Sequence, residues 1–284
     1  MAIRPENIDR LLKFRNPKWK TSITKLEPNK IVTRGYSQEA LIGHISFSEM
    51  VYLLINGNKP SKNESKMLEA VLVSFCDHGI TPPSTQVARL MASTGSPLNS
   101  CVSGGIMAFG RHHAGALEQC MKMLQETVQN DINSEEARIE SSRDTNELAY
   151  QLVEKYWEKN EKIPGYGHRY HNQDPRAPKL IELSKRNGFY GIHTQLTVAL
   201  EKILNETKNI QLNVDGANAG ILSDMGFNWQ LGTGIFMIGR LPALISHVYE
   251  EKTQETPFRK IIETDEIYYD GLEEKTSNKD CRIP

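Results

Sequence analysis

The segment PGYGHRYHNQDPRA, residues 164–177, concentrates groups that could carry out chemistry. Two glycines flank Tyr166 and would let the backbone approach a ligand closely. His168 follows, and an imidazole can exchange protons near neutral pH. Arginines in such a loop can bind carboxylate or phosphate through charge-assisted hydrogen bonds. The pattern alone leaves two interpretations open, an anion-binding loop and a structural turn that carries surface charges.

Two further segments carry ionisable side chains in unusual settings. LNVDG, residues 212–216, places Asp215 at the end of an apolar segment and directly before glycine. That aspartate could exchange a proton, or it could form an Asx-turn or a helix cap. RHHAGAL, residues 111–117, contains adjacent histidines, which cannot share one face of a helix. Apolar residues repeat at helical spacing after this segment, so the histidines are predicted at a helix N-terminus, which favours anions.

The elements that must position these groups are predicted to be helices. Capping boxes begin at Ser46 and Asp144, each with glutamate three positions later. Only Ile210–Val214 alternates like a strand. We therefore predict an all-α or mainly α fold. Apolar stripes at helical spacing occupy residues 47–55, 67–75, 117–124, 148–156 and 241–248.

Composition argues against several classes of protein. The 284 residues contain 34 Lys and Arg against 35 Asp and Glu, a net charge of -1, so no global field attracts nucleic acid or an anionic membrane. A mean hydropathy of -0.49 fits a chain without membrane spans. The four cysteines have neither metal spacing nor the density of a disulfide scaffold, which predicts a reducing, cytoplasmic setting. Nor does the sequence complete a metal shell around His168 and His171.

Taken in order, these pieces resemble the citrate synthase superfamily. The resemblance comprises a histidine at a helix end, a histidine before Gly-Ala, the GHR and DPRA motifs, NVD, and a Gly-Arg pair near the C-terminal helix. It extends to TRGYSQEAL at residues 33–41 and LLINGNKP at residues 53–60. Nearly the whole chain is covered, and such order and spacing are far more specific than one loop motif.

Within that superfamily the chain looks more like the compact citryl-CoA lyase module, also found at the C-terminal end of ATP-citrate lyases. Only a short segment separates Gly57 from His78, where synthases carry additional helices. DHGITPPS, residues 77–84, resembles the lyase pattern more than the synthase HExNAST. The NVDG at residues 213–216 also fits lyases better.

The resemblance implies an all-α, two-domain citrate synthase-like fold with the active site in the cleft. The large domain would comprise residues 1–115 and 227–284, and residues 116–226 would form a smaller domain. Closure of the cleft would exclude water. Family members are symmetric dimers or higher oligomers, so a homodimer is expected.

The resemblance also implies roles for individual residues. Asp215 would exchange the proton at the acetyl carbon, and His113 would hydrogen-bond the enolic thioester oxygen, although adjacent His112 remains an alternative. His168 would serve the oxaloacetate carbonyl or, in cleavage, accept the citryl hydroxyl proton. The residues that match dicarboxylate-binding positions are His78, Arg176, Arg240 and, near a position that acts across the dimer interface, Arg259. The residues expected to lie against CoA are Gly165, Tyr166, Gly167 and Arg169.

The leading hypothesis is retro-Claisen cleavage of citryl-CoA, or a related acyl-CoA, to acetyl-CoA and oxaloacetate. Two alternatives stay open: a citrate synthase or methylcitrate synthase, and a non-catalytic CoA-binding subunit. We expect no tightly bound cofactor and no metal, with the CoA thioester as substrate. If citryl-CoA is made from citrate and ATP, a separate CoA ligase must make it.

Overall fold

The structure is a computed structural model that describes residues 20–133 and 144–272. Helices make up most of it, as the sequence predicts. The α-helices are α1 (Gln38–Leu41), α2 (Phe47–Asn56), α3 (Lys62–Phe75), α4 (Pro83–Ser93), α5 (Leu98–Met107), α6 (Ala116–Asn133), α7 (Thr145–Glu158), α8 (Arg176–Asn187), α9 (Ile192–Lys208), α10 (Val214–Asp224) and α11 (Gly232–Gln254).

A small antiparallel sheet precedes the helices, and the sequence did not predict it. Its strands are β1 (Thr24–Glu27), β2 (Lys30–Thr33) and β3 (Tyr36–Ser37), in the order β1-β2-β3. In contrast, the strand predicted at Ile210–Val214 is wrong. Leu212 forms one isolated bridge to Tyr166, and Val214 already begins α10.

Local capping explains where several helices begin and end. Ser46 and Glu49 form the predicted capping box of α2, and Gly57 ends that helix in the left-handed conformation. The predicted box at Asp144 is only half formed, because its side chain accepts from the amide of Asn146 while Glu147 bonds Gln151. Helix α7 nevertheless starts there.

The chain divides into two compact units, and the first contains most of the predicted site. It comprises Met1–His78 and Phe109–Pro242. Helix α10 lies at its centre, in contact with α3, α6, α8 and α9. Its residues from Gly216 to Ser223 are all buried, so the turn that begins α10 is anchored to the core. Its own Ile221 and Leu222 are fully buried, as are Phe75 of α3, Met121 of α6, and Leu196 and Leu200 of α9.

The second unit comprises Gly79–Ala108 and Ala243–Pro284. Helices α4 and α5 pack together there, and Leu244 and Val248 of α11 join their apolar core. Buried Arg89 pairs with Glu251 at 2.7 Å within this unit. These bounds differ from the predicted large and small domains, and that division, with its cleft, stays a prediction.

Among the described residues, one helical segment, Trp229–Gln254, is long and apolar enough to span a membrane by length and composition. A core helix passes the same test. In the first unit this segment buries Ile235 and Phe236 in the core and also buries the charged Arg240. Because this segment buries side chains in the core of a folded unit, its apolar character needs no membrane to explain it.

Candidate active site

The C-terminal end of α3 binds two predicted substrate-binding arginines. Arg176 donates from Nη1 to the carbonyl oxygen of Ser74 at 3.3 Å, and Arg240 donates from Nε to that of Phe75 at 2.8 Å. The last carbonyls of a helix lack partners within the helix and carry its negative dipole end, so cations bind there favourably. His78 follows three residues after Phe75. The end of α3 therefore brings together three predicted site residues that are far apart in sequence.

Arg240 is only 3% exposed, yet one nitrogen of its guanidinium group makes no hydrogen bond among the described residues. Its guanidinium carbon lies 5.1 Å from the centre of the Phe236 ring. Burial lowers the pKa of Arg240 from its ordinary value. Nη1 is buried and has no hydrogen-bond partner among the described residues. A buried donor of this kind requires a partner, which a bound carboxylate would supply.

Asp174 holds Arg176 in place, a role that the sequence did not reveal. Its carboxylate accepts from Nε and Nη2 of Arg176 at 2.9 and 2.8 Å. The same carboxylate accepts from the amide of Val214 at 3.0 Å. These charged contacts, led by Arg176, overcome the effect of burial and lower the pKa of Asp174. One buried carboxylate thus joins the arginine to the turn that carries Asp215.

Hydrogen bonds join the loop that contains Gly165 and Gly167 to the turn before α10. The amide of Gly167 donates to Gln211 at 2.8 Å, and the amide of Asn213 donates to Gly165 at 3.1 Å. Asn213 also donates from Nδ2 to the Gly167 carbonyl at 2.7 Å, while its Oδ1 accepts from the amides of Asp215 and Gly216. Asn213 is therefore both the N-cap of α10 and the link to the loop.

Asp215 begins α10 with a carboxyl oxygen that lacks a partner. Oδ1 is buried and has no hydrogen-bond partner among the described residues. Burial raises the pKa of Asp215 to about 6, against the opposing effect of Arg176 and Arg240. A carboxyl group that titrates near neutral pH can act as acid or base. The proton exchange by Asp215 stays a prediction.

The ring of His168 is held by two backbone amides. Those of Tyr170 and His171 both donate to Nδ1 at 3.1 Å. Burial lowers the pKa of His168, so the neutral ring predominates near pH 7. With Nδ1 as acceptor, the proton of the neutral ring is on Nε2, which suits donation to a carbonyl oxygen. Acceptance of a hydroxyl proton in cleavage would require that proton to leave first, and this role stays a prediction.

His78, His168 and His171 form one cluster. One nitrogen from each ring lies within 4.8 Å of the other two. Sequence spacing did not indicate this set, because His78 comes from the end of α3 and is remote in the chain. Three histidines at this spacing are a possible ligand set for a transition metal.

His113 lies in a tight loop before α6, closed by bonds of 2.8 and 3.1 Å between the backbones of Gly110 and His113. Burial, with the nearby charges of Arg240 and Arg169, lowers the pKa of His113 to about 4. A neutral imidazole results, which can donate to an enolic oxygen. His112 is exposed and lines a cavity, whereas the charge of Arg240 acts on His113. Which of the two histidines faces the substrate stays a prediction.

Two cavities flank the residues predicted to lie against CoA. One, of about 680 Å³, is lined by Gly165 and Tyr166 together with Arg111, His112, Lys122, Lys162 and Asn213. The other, of about 410 Å³, is lined by Tyr166, Gly167, His168 and Arg169, with Trp157, Lys162 and Lys208 among the rest. Both volumes lie in the range of ligand sites. Tyr166 itself is anchored by a 2.9 Å bond to the Thr197 carbonyl.

Arg259 belongs to the second unit, where Glu251 and Glu255 engage its guanidinium. It donates to the two carboxylate oxygens of Glu251 at 2.7 and 3.0 Å and pairs with Glu255 at 2.9 Å. Contact between Arg259 and the substrate stays a prediction.

Comparison with known proteins agrees with this fold. The family described as "Citrate synthase, C-terminal domain" matches residues 56–263. Citrate synthase from Heyndrickxia coagulans is 33% identical over 76% of this chain and 55% of its own length. The chain thus spans about half the length of the curated relatives it matches.

Two solved structures are similar over most of the chain. Citryl-CoA lyase from Hydrogenobacter thermophilus superposes with a TM-score of 0.80 at 41% identity, covering 91% of this chain and 97% of the lyase. ATP citrate lyase from Methanothrix soehngenii, solved with citrate and coenzyme A, gives a TM-score of 0.76 at 20% identity, over 96% of this chain and 45% of its own, and supports the fold alone.

The mainly helical fold is of the citrate synthase type. The chain belongs to the citrate synthase family.

Proposed function

We propose that this chain cleaves citryl-CoA, or a closely related acyl-CoA, to acetyl-CoA and oxaloacetate. The observation that carries the proposal is the buried carboxyl group of Asp215 beside two arginines that α3 holds in place. Similarity to a citryl-CoA lyase over 97% of that lyase favours cleavage as the direction. Curated relatives named citrate synthase and 2-methylcitrate synthase favour the second candidate, condensation.

The cleaved bond joins the acetyl methylene carbon to the carbon that carries the hydroxyl group. Its electron pair passes to the thioester as an enolate. The hydroxyl group gives its proton to solvent water, and the carbon that carried it becomes the carbonyl carbon of oxaloacetate. Protonated Asp215 gives its proton to the methylene carbon and completes acetyl-CoA. Neutral His113 donates a hydrogen bond to the enolate oxygen, and Nε2 of His168 donates to the oxygen on the carbon that becomes the carbonyl.

The arginines supply recognition and charge compensation. Carboxylates of the substrate would accept from the buried Nη1 of Arg240 and from the outer edge of Arg176. The thioester arm would lie along Gly165 and Asn213 in the larger cavity. Asn213 is two residues from Asp215 in the sequence. We further propose that the chain forms a homodimer, works in the cytoplasm and receives citryl-CoA from a separate CoA ligase.

The test separates cleavage from synthesis by the fate of the CoA thiol. Acetyl-CoA and oxaloacetate are mixed with the protein, and free thiol is followed over time. A lyase working in reverse forms citryl-CoA and releases no thiol, whereas a synthase hydrolyses that intermediate and releases free CoA. Prompt release of free CoA would replace the lyase proposal with the synthase one.

A further inference from the structure

His171 lies against His78, which is predicted to bind substrate, and against the predicted catalytic residue His168, although no motif assigned His171 a role. Its ring centroid is 4.5 Å from that of His168, with an angle of 33° between the planes. It meets the ring of His78 edge-on at 5.5 Å. The amide of His171 also holds Nδ1 of His168. His171 is therefore the exposed member of this cluster of three histidines.

The charges around this cluster favour an anion over a cation. Arg176 and Arg240 both lie near enough to His78 to lower its pKa, in addition to the larger effect of burial. Asp174 is a carboxylate beside these rings, and Arg176 already binds both of its oxygens. A metal ion here would face two guanidinium groups, whereas a carboxylate would be attracted by them.

The hydrogen bonding of His168 argues in the same direction. A histidine that binds metal through one nitrogen generally donates a proton from the other to an acceptor. Nδ1 of His168 instead accepts from two amides, which would oppose a proton there. Metal at Nε2 would require those two bonds to break. Donation from Nε2 to an oxyanion leaves them intact.

We propose that His171 binds a carboxylate of the substrate, completing with His78 and His168 a three-imidazole site for an anion and not for a metal. The inference rests on the proposed function only in naming that carboxylate as part of a citryl or oxaloacetate group. The side chain of His171 acts on the ligand, while its backbone amide keeps His168 oriented. Side-chain replacement leaves that amide in place.

The test compares His171→Ala and His171→Gln with His44→Ala, a matched control at an exposed histidine outside the site. Loss of a hydrogen bond to a charged group should raise KM for citryl-CoA about 10-fold or more in His171→Ala, with kcat near that of the wild type. The glutamine retains a donor and should recover part of the loss. His44→Ala should match the wild type.

Binding measurements separate this inference from the function itself. Calorimetric titration with citrate, and separately with CoA, needs no turnover. His171→Ala should weaken citrate about 10-fold and leave CoA unchanged. If the wild-type protein has no lyase activity but this citrate pattern holds, the proposed function fails and the anion site stands.

Two results would overturn the inference. One is a His171→Ala protein whose citrate affinity and KM equal those of the wild type. The other is binding of one equivalent of Zn²⁺, measured by elemental analysis after dialysis, that disappears in His171→Ala and persists in His44→Ala. That second result would make the cluster a metal site.

Discussion

A side chain on Gly165 would lie on top of Gly216, because an added Cβ would be 2.6 Å from the Cα of Gly216. Gly165 has a φ of +90°, a conformation that side chains rarely adopt. The two glycines let the loop before His168 and the turn that carries Asp215 approach at backbone distance. This contact places the two principal reactive groups relative to each other.

Gly216→Ala should therefore damage catalysis. The new Cβ would meet the Gly165 carbonyl oxygen at 2.3 Å, so the loop and Asp215 must move apart. Displacement of reacting groups by about 1 Å costs on the order of 100-fold in rate, and kcat/KM should fall about that much. Gly234→Ala is the matched control, since a Cβ there meets nothing within 4 Å. Unchanged kcat/KM in Gly216→Ala would contradict the positioning role.

The pH dependence should reveal the direction in which Asp215 works. Its pKa of about 6 means that it is protonated below that pH and ionised above it. Cleavage needs the protonated form, so kcat/KM for citryl-CoA should decline as pH rises through about 6. Condensation needs the carboxylate and should rise through the same range. Profiles of both reactions with the same shape would argue against Asp215 as the shared acid and base.

Ala114→Gly should cost little stability even though it removes a buried side chain. Ala114 has a φ of +63°, in the left-handed region that costs an L residue about 1–2 kcal/mol. Glycine removes that strain but adds freedom to the unfolded chain and deletes a buried methyl group, so we expect the free energy of unfolding to change by no more than about 0.5 kcal/mol. Denaturant titration measures it. Ala149→Gly, at a buried position within α7, has no strain to relieve and should lose about 2 kcal/mol. An equal loss in Ala114→Gly would refute the strain.

Asp174→Asn should lower stability and change its dependence on acid. Its folded pKa is depressed, so its contribution is present above the unfolded pKa of about 4 and is lost as pH falls below that value. At pH 7 the variant should lose about 2 kcal/mol, the scale of hydrogen bonds to charged groups. Below about pH 3 the difference from the wild type should shrink. Exposed Asp270→Asn is the control, and a difference independent of pH would contradict the account.

Helices and their ends were largely predictable because their signals are local. Ser46, Glu49 and Gly57 satisfy backbone groups within one turn, and the structure uses them as predicted. The β1–β2 hairpin was missed because it is mostly exposed: Leu26 and Ile31 are 74% and 43% exposed, so they give no alternation of buried and polar residues. The segment Ile210–Val214 does alternate between apolar and polar residues, as a strand would. Its pairing is limited to the single bridge between Leu212 and Tyr166, so the predicted strand does not form.

The site was predictable as a set of motifs and unpredictable as a set of contacts. GHR, DPRA and NVDG named His168, Arg176 and Asp215 through resemblance. Asp174 lies inside one of those motifs, yet its bond to the amide of Val214 depends on tertiary packing. The place of His171 beside His78 depends on where α3 ends in space, which no local spacing encodes.

The central claim is tested most directly by offering citryl-CoA to the wild-type protein and to Asp215→Asn while acetyl-CoA and oxaloacetate are quantified. The wild type should form the two products in equal amounts. Asp215→Asn should bind CoA normally and turn over about 10²–10⁴-fold more slowly, the range for loss of a general acid. Equal turnover by both proteins, or free CoA and citrate as the products of the wild type, would contradict the proposed cleavage.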